Sequence, residues 1–246
     1  MKRKGQRYAG EICDREARRG RLAFCGVSSE PGPDYDVPLW DVSFALDPGE
    51  LLLVRLEMGH LYTPLADLAL GLINPARGQV LFNGRSWAEL PPERAARLRG
   101  RCRRTYLDGG WYTAQTLITN ICLAQMHHSR RSLEEIEIEA AELSRAFGLP
   151  GLPLGRPDEA RDDDLQRASL ARAFLGRPQL MILEEPTQDL YPDILPPLLN
   201  SLARARSRGA AVIWTTADER IWEHPEIGAD RRGCMYGSRL RIEEMR

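Results

Sequence analysis

The sequence predicts an α/β protein whose sheet is mostly parallel and covered by helices. Three short, almost continuous apolar runs, at residues 50–55, 179–183 and 210–215, are typical of strands buried on both faces. Helical patterns at residues 165–175 and 194–206 alternate with these runs. Because strands that alternate with helices are joined by crossovers, parallel pairing is favoured. The 246 residues, 43% of them apolar, are enough for a substantial core in one domain, or in one domain with a subdomain.

Further elements are predicted on either side of the first buried run. In chain order they are an apolar strand at 22–27, a second apolar stretch at 39–46, a helix at 65–72 and an alternating strand at 78–83. Residues 47–49 have the composition of a turn, and Pro64 fits the first turn of a helix. Residues 132–147 form an amphipathic helix that opens with a capping box, Ser132 and Glu135.

Composition and charge exclude some classes of partner. The formal charge of −1 gives no general attraction to nucleic acid or to anionic membranes. An arginine cluster, Arg99, Arg101, Arg103 and Arg104, lacks interleaved aromatic residues. We therefore interpret it as a solvated surface or a protein contact, and we expect no nucleic acid. The five cysteines are odd in number and lack metal-ligand spacing, which indicates a reducing, cytoplasmic compartment.

Five segments match one known family in order and spacing. They are LWDVSFALDPGELLLV at 39–54, LALGLINPARGQVLFNG at 68–84, TLITNICL at 116–123, QRASLARAFLGRPQLMILEEPT at 166–187 and RGAAVIWTTAD at 208–218. On these segments, residues 22–220 resemble the nucleotide-binding (ATP-binding) subunits of ABC transporters, in a degenerate form. A general similarity to the ATPases of phospholipid-transport permeases favours lipid as the cargo.

The resemblance implies a RecA-like P-loop NTPase core (the ABC ATPase fold) with an N-terminal antiparallel β-region and an inserted helical subdomain. Residues 1–20 would be a flexible or helical arm, 21–108 and 168–246 the core with the β-region, and 109–167 the helical subdomain. We expect a short polar tail after residue 215. The resemblance also implies a homodimer, or a heterodimer with another ABC ATPase subunit, bound to a membrane permease subunit. The location implied is cytoplasmic and peripheral, on the inner face of the cell membrane.

In that family a loop of the form GxxxxGK[ST] grips the phosphates of ATP. Here residues 56–63 keep one glycine, Gly59, and place Tyr62 where the lysine belongs; the chain has no lysine after Lys4. The missing ammonium is worth roughly 4 kcal/mol of attraction at about 4 Å and an effective dielectric constant near 20. Without the glycines the loop also lacks the unobstructed backbone N–H groups that point at phosphate oxygens. Thr63 alone keeps a hydroxyl for magnesium. We therefore expect neither ATP nor Mg²⁺, and a plain strand–turn–helix connection.

Two acidic positions concern catalysis. Glu184 falls where the family has a metal-binding aspartate, and Glu185 falls where a glutamate orients the attacking water. The alternative is a pair of acids at the exposed carboxyl end of a strand. Tyr35 falls where an aromatic residue stacks on adenine, and is equally an ordinary loop tyrosine. Three further family positions are changed: the switch histidine to Ala217, the γ-phosphate-sensing glutamine to Asp108 and the dimer-loop aspartate to Tyr191.

The signature sequence LSGGQ, which completes the partner's ATP site in the family, is replaced by ARDDD at residues 160–164. Asp162, Asp163 and Asp164 would face the dimer partner, where three carboxylates would repel a triphosphate. Acidic residues before a helix also cap its free N–H groups and favour its dipole. We expect both effects.

The leading hypothesis is a catalytically inactive nucleotide-binding-type subunit, a pseudo-ATPase, that couples to or scaffolds a membrane permease. One alternative is an active ATPase with an unconventional loop, in which Thr63 and Glu184 hold magnesium and Glu185 is the base. Another is a soluble scaffold or regulatory protein on the same fold. Titration with Mg-ATP separates the first two, and copurification with membranes separates the last.

Overall fold

The computed structural model describes residues 20–188 and 190–244, so the arm predicted for residues 1–20 falls almost wholly outside the described residues. The strands are β1 Leu22–Ser28, β2 Val42–Leu46, β3 Leu51–Arg55, β4 Arg77–Phe82, β5 Arg85–Ser86, β6 Cys102–Thr105, β7 Leu180–Glu184, β8 Ala211–Thr216, β9 Arg231–Tyr236 and β10 Arg239–Glu244. The α-helices are α1 Leu65–Ala69, α2 Pro92–Arg99, α3 Leu117–His128, α4 Leu133–Ala146, α5 Asp162–Phe174, α6 Leu195–Ser207 and α7 Glu219–Trp222. Short 3₁₀ helices lie at Trp87–Glu89, Pro157–Glu159 and Pro225–Ile227.

The larger sheet has the strand order β10-β9-β3-β8-β7-β6. Strands β9, β3, β8, β7 and β6 are parallel and β10 is antiparallel to β9, which confirms the prediction of a mostly parallel sheet. Successive residues of β3 face opposite sides: Leu52 and Val54 pack into one core, and Leu51 and Leu53 pack into another. Both faces of β3 are therefore covered, which explains its continuous apolar sequence.

A smaller antiparallel sheet, in the order β2-β1-β4-β5, covers one of these faces. Its residues Phe24 and Phe82 share a core with Leu52 and Ile213 of the larger sheet. The rings of Phe24 and Phe44 stack with their centroids 4.7 Å apart, an arrangement worth about 0.5–1.5 kcal/mol beyond the burial of their area. This sheet is the antiparallel β-region that the sequence implied.

Helices cover the other face and form the inserted subdomain. Leu170 of α5 and Leu198 of α6 pack in one core with Trp214 of β8. A separate core joins α3, α4 and α5 through Ile121, Cys122, Ile136, Ala140 and Ala168. The predicted capping box of α4 is confirmed, because the Ser132 hydroxyl accepts the Glu135 N–H and the Glu135 carboxylate accepts the Ser132 N–H.

Besides the two-residue strand β5, two parts of the chain form strands that the sequence did not predict. β6 lies inside the arginine cluster that we interpreted as a solvated surface or protein contact. Arg103 is 7% exposed and the Arg104 side chain 13% exposed, so that interpretation is wrong for these two residues. The short polar tail expected after residue 215 is also wrong, since β9 pairs with β3 and β10 pairs with β9. Both segments contain arginines, and arginine is seldom buried unless it is paired. Neither β6 nor the tail therefore has the composition typical of a buried strand.

The helix boundaries differ from the prediction at two places that bear on the site. α1 has five residues and ends at Ala69, and Leu72, predicted to lie on its buried face, is 51% exposed. α5 begins at Asp162 rather than at residue 165. Both differences lie next to segments that bind phosphate or complete the partner's site in the family that the sequence resembles.

The thiols of Cys102, Cys122 and Cys234 are free and buried. Burial raises the pKa of Cys102 to about 12 and that of Cys122 to about 11, so both remain protonated thiols at neutral pH. Cys25 is disulfide-bonded, so the expectation of reduced cysteines does not hold at that position. In the described ranges, no helix combines the length and the apolar character that crossing a membrane requires.

Candidate functional site

Most of the predicted site residues lie at the carboxyl edge of the larger sheet. The loop at residues 56–64 follows β3, Glu184 ends β7, and Thr105 ends β6 at the same edge. Tyr62, Thr63 and Glu184 help to line a cavity of about 280 Å³ there. Ligands of open α/β sheets bind in crevices at this edge, so the cavity is the candidate site.

The loop at residues 56–64 is held by carboxylates. Asp36 Oδ2 accepts a 2.8 Å hydrogen bond from the Tyr62 N–H, and the Asp36 N–H donates one of 2.8 Å to the Tyr62 carbonyl. Glu57 accepts a 3.0 Å hydrogen bond from the Gly237 N–H and lies 3.1 Å from the His60 ring. The Tyr62 N–H is therefore already hydrogen-bonded, and two carboxylates, those of Asp36 and of Glu57 within the loop, place negative charge there. Both features disfavour a bound polyanion.

The connection from this loop to α1 offers little to a phosphate. Thr63 is 5% exposed, while Tyr62 is 48% exposed. Pro64 occupies the N-cap position without a side-chain cap, and it has no N–H to donate. A helix of five residues also presents a weaker dipole than a full-length helix. The segment is a strand–loop–helix connection in which neither Tyr62 nor Thr63 brings a positive charge.

The cation of the site comes from β6. Arg104 Nε lies 2.5 Å from Glu184 Oε2, Arg104 Nη2 lies 3.1 Å from Glu184 Oε1, and Arg104 Nη1 lies 2.6 Å from Asp67 Oδ1. The Arg104 guanidinium also lies 4.5 Å from the centre of the Tyr106 ring, and the Tyr35 hydroxyl donates to Asp67 Oδ2 at 2.9 Å. This role of Arg104 was not predicted, because the sequence shows Arg104 only as one member of a cluster of four arginines.

The charges of this cluster are coupled. Burial alone would lower the pKa of Arg104, but the hydrogen bonds and charge of Glu184 raise it above its ordinary value. Burial raises the pKa of Glu184, and Arg104 opposes that shift. Burial and the hydrogen bond to Asp67 raise the pKa of Tyr35 to about 12. Arg104 therefore stays protonated and is the counter-ion of two largely buried carboxylates.

These residues do not fit a magnesium ion. Both oxygens of Glu184 accept hydrogen bonds from Arg104, and the two oxygens of Asp67 accept from Arg104 and Tyr35. A divalent cation at Glu184 would have to displace a guanidinium that already neutralises it. Among the described residues, no group of three or more His, Cys, Asp or Glu side chains is placed to hold a metal ion. Tyr35 is fixed through its hydroxyl, and adenine stacking on its ring stays a prediction.

Glu185 points away from this cluster. Its φ of 40° turns the side chain toward the end of β8, where it accepts a 3.0 Å hydrogen bond from the Thr216 hydroxyl and a short one from the Ala217 N–H. Glu185 is 8% exposed and the Glu184 side chain is 10% exposed, so the alternative of an exposed acidic pair is wrong. A glutamate held in this way braces the loop after β8.

Stability is expected to depend on pH through Glu185. Burial raises the pKa of Glu185 above its ordinary value of 4.5, although its hydrogen bonds oppose the rise. The folded state therefore holds a proton that the unfolded state has released, and the wild type loses stability as the pH rises from 4.5 through the raised pKa.

Glu185→Gln, which cannot titrate, should lack this decline. Urea denaturation of both proteins between about pH 4 and 8 measures this decline in the free energy of unfolding. Subtracting the curve of the variant from that of the wild type removes the contribution of the other acidic residues. Parallel stability curves for wild type and variant across that range would contradict the raised pKa.

No protein-family model matches the chain. The molybdate/tungstate import ATP-binding protein WtpC of Thermococcus kodakarensis is 28% identical over 211 residues, which are 84% of this chain and 61% of that relative. The dimeric post-hydrolysis structure of the ATP-binding cassette MJ0796 bound to ADP and Pi superposes with a TM-score of 0.78 at 18% identity, covering 92% of this chain and 99% of that one. The chain has the ATP-binding cassette fold.

A second solved structure, an ATP-binding subunit of an ABC transporter, has a TM-score of 0.74 at 23% identity and covers 91% of this chain and 90% of its own. The predicted RecA-like core with an antiparallel β-region and an inserted helical subdomain is confirmed. The chain is thus similar in sequence to the ATP-binding protein WtpC and in fold to both solved structures. The chain spans about three fifths of WtpC, whose name specifies molybdate/tungstate import and gives no support to a lipid cargo.

The segment at residues 160–164, which stands where the family has LSGGQ, falls at the start of α5. Asp162, Asp163 and Asp164 form the first turn, Arg161 is the N-cap residue, and no side chain caps the helix. The prediction that the aspartates cap the N–H groups is therefore wrong, because they lie inside the helix. Their charges still favour its dipole, by about 0.3–1 kcal/mol each. Asp162 is exposed, and the orientation of the triplet toward a dimer partner stays a prediction.

The other changed cassette positions serve local structure. Ala217 donates its N–H to Glu185. The Arg220 guanidinium lies 4.4 Å from the centre of the Tyr191 ring. Asp108 accepts a 3.1 Å hydrogen bond from the Gly110 N–H. None of these contacts requires a nucleotide.

Proposed function

We propose that the chain is a non-hydrolysing, nucleotide-binding-type subunit of an ABC transport complex, a pseudo-ATPase. The observation that supports this proposal most directly is the Arg104 guanidinium, which is bound by Glu184 and Asp67. Glu184 stands where the family binds its metal, so an internal cation takes the place that Mg²⁺ would need. The carboxylates of Asp36 and Glu57 against the degenerate phosphate loop support the same proposal.

The partners that we propose are a membrane permease subunit and a second ATPase subunit, identical or related, at the inner face of the cell membrane. The ABC subunits that the chain resembles support the permease, and the dimeric MJ0796 cassette supports the second subunit. In such a dimer Asp162, Asp163 and Asp164 would face the phosphate loop of the partner. We propose that the subunit scaffolds or couples the complex, with no cofactor of its own.

Calorimetric titration with Mg-ATP tests the proposal, and we expect a dissociation constant weaker than about 1 mM. The loss of the lysine alone removes roughly 4 kcal/mol of attraction at a dielectric constant near 20. Tyr62→Lys returns an ammonium to the loop but leaves Arg104 between Asp67 and Glu184. We therefore expect this variant to gain no magnesium-dependent binding.

The active-ATPase alternative predicts the opposite result. Micromolar binding of ATP that requires Mg²⁺ and is weakened by Thr63→Val would establish that alternative and refute the proposal.

The alternative of a soluble scaffold without a permease is tested by fractionation: the full chain should sediment with membranes that contain its permease and be released when the permease is absent. Equal recovery in the soluble fraction under both conditions would favour the scaffold.

A further inference from the structure

A second region of the molecule, at the opposite end of the parallel strands from Arg104, is dominated by arginine. Two neighbouring cavities lie there, before the amino ends of β6 and β7, with volumes of about 590 and 740 Å³. The arginines that line the first are Arg101, Arg103, Arg131, Arg177 and Arg208. Those that line the second are Arg21, Arg85, Arg94, Arg97 and the shared Arg101. We call these nine residues the arginine face.

The positive charge of the arginine face is almost uncompensated. Glu139 is the acid that lines the first cavity, and it is already paired with Arg131 and accepts a 3.2 Å hydrogen bond from the Gly176 N–H. Within residues 20–188 and 190–244, no other arginine of the face takes part in an ion pair. The whole chain has a formal charge of −1, so this concentration of charge is a local feature.

Helix ends account for only part of this concentration. Arg97 lies in the last turn of α2, and Arg208 follows α6, where a cation gains about 0.3–1 kcal/mol from the helix dipole. Arg21, Arg101 and Arg103 lie in or directly before strands, where no such gain exists. Like charges brought together also repel one another, so a further reason for their placement is needed.

Each cavity contains one arginine with an unsatisfied donor: Arg103 is buried, and Arg21 is half-buried with its Nη1 and Nη2 atoms donating to Asn83 and Gly209. The Nε atoms of Arg21 and Arg103 are buried and have no hydrogen-bond partner in the described part of the chain. Arg103 is 7% exposed, and its Nη1 donates to the Gly100 and Cys102 carbonyls. Burial lowers the pKa of both arginines, and the charge of Arg101 lowers that of Arg21 further. Buried polar groups are normally hydrogen-bonded, so the described residues leave the donor capacity of these two arginines incomplete.

We propose that the arginine face binds an anion carrying several phosphoryl groups. The planar guanidinium donates paired N–H groups with the spacing of phosphate oxygens. Both cavities have the size of small-molecule sites, and Arg101 joins them so that one extended ligand can reach both. No Phe, Tyr or Trp is among the described residues lining either cavity, which disfavours nucleic acid held by base stacking.

Titration calorimetry with sodium tripolyphosphate at low ionic strength tests this site. Arg101→Ser removes the shared guanidinium from an exposed position, so the fold should be unaffected. We expect the dissociation constant to rise about tenfold, the loss of one charge-assisted hydrogen bond. Arg239→Ser, at an exposed position of β10, is the matched control and should bind like the wild type. Added salt should weaken binding by screening.

The source of the phosphoryl groups is decided by a second arm. Flotation with vesicles that contain a phosphorylated inositol lipid, competed by tripolyphosphate, indicates a lipid headgroup; tripolyphosphate binding without flotation indicates a soluble ligand. Equal dissociation constants for Arg101→Ser and Arg239→Ser, or no binding to the wild type at millimolar tripolyphosphate, would overturn the proposal. So would tighter binding of a single-stranded oligonucleotide than of tripolyphosphate.

Discussion

Replacing Arg104 with methionine is expected to lower the free energy of unfolding by about 3–5 kcal/mol. The guanidinium, 13% exposed, lies 2.6 Å from Asp67 and 2.5 Å from Glu184, whose side chains are 19% and 10% exposed. Methionine preserves much of the volume but removes the charge, so two largely buried carboxylates lose their counter-ion. Urea denaturation at neutral pH, followed by circular dichroism, measures the loss.

Arg161→Met is the matched control. Arg161 is 81% exposed and lies 3.3 Å from Asp163, so the same substitution there should change stability by less than about 1 kcal/mol. The double variant Arg104→Met/Glu184→Met removes one charge of each sign. It should be more stable than Arg104→Met alone by about 0.5–3 kcal/mol. If Arg104→Met proves as stable as Arg161→Met, the guanidinium is not the counter-ion of the site, and the main support for excluding magnesium is lost.

The sequence alone predicts the positions of strands that are buried along their whole length. β3, β7 and β8 agree with their predicted positions to within a residue, because both faces of each strand are covered and the whole run is apolar. The capping box of α4 was equally accessible, since its two partners lie three residues apart. Both are local patterns, which a sequence displays before any tertiary contact forms.

β6 could not be predicted in this way, because its neutralising groups are remote in sequence. Asp67 lies 37 positions from Arg104, and Glu184 lies 80 positions away. Before folding, Cys102–Thr105 has the composition of a basic surface, and only the ion pairs make its burial tolerable. β9 is a similar case, since it begins with two arginines and finds its partner β3 about 180 positions earlier.

The candidate site likewise has a part that the sequence shows and a part that depends on residues remote in sequence. The departure of residues 56–63 from the pattern GxxxxGK[ST] is visible in the sequence, because that motif is contiguous. The cation that the structure does supply, Arg104, comes from another strand and serves two carboxylates instead of a phosphate. Glu185 shows the same limit: its sequence position suggested an exposed acid, whereas a φ of 40° turns it into the loop after β8.

Changing Gly78 to alanine is expected to lower the free energy of unfolding by about 2–5 kcal/mol, the sum of a left-handed backbone cost and an overpacking cost. Gly78 has a φ of 77°, and an added Cβ would stand 2.3 Å from the Cys25 carbonyl oxygen and 2.4 Å from that of Gly26. These are backbone atoms of β1, opposite an irregularity in the pairing of β1 with β4. The clash cannot be relieved by a side-chain rotation, so the two strands must separate.

Gly59→Ala separates the two costs. Gly59 has a φ of 86°, but nothing lies within 4 Å of an added Cβ, so only the backbone cost of about 1–2 kcal/mol applies. The difference between the two variants in urea denaturation therefore measures the contact between β1 and β4. Gly59 is also the one glycine in residues 56–63. Equal losses for both variants would contradict the close contact between Gly78 and the backbone of β1.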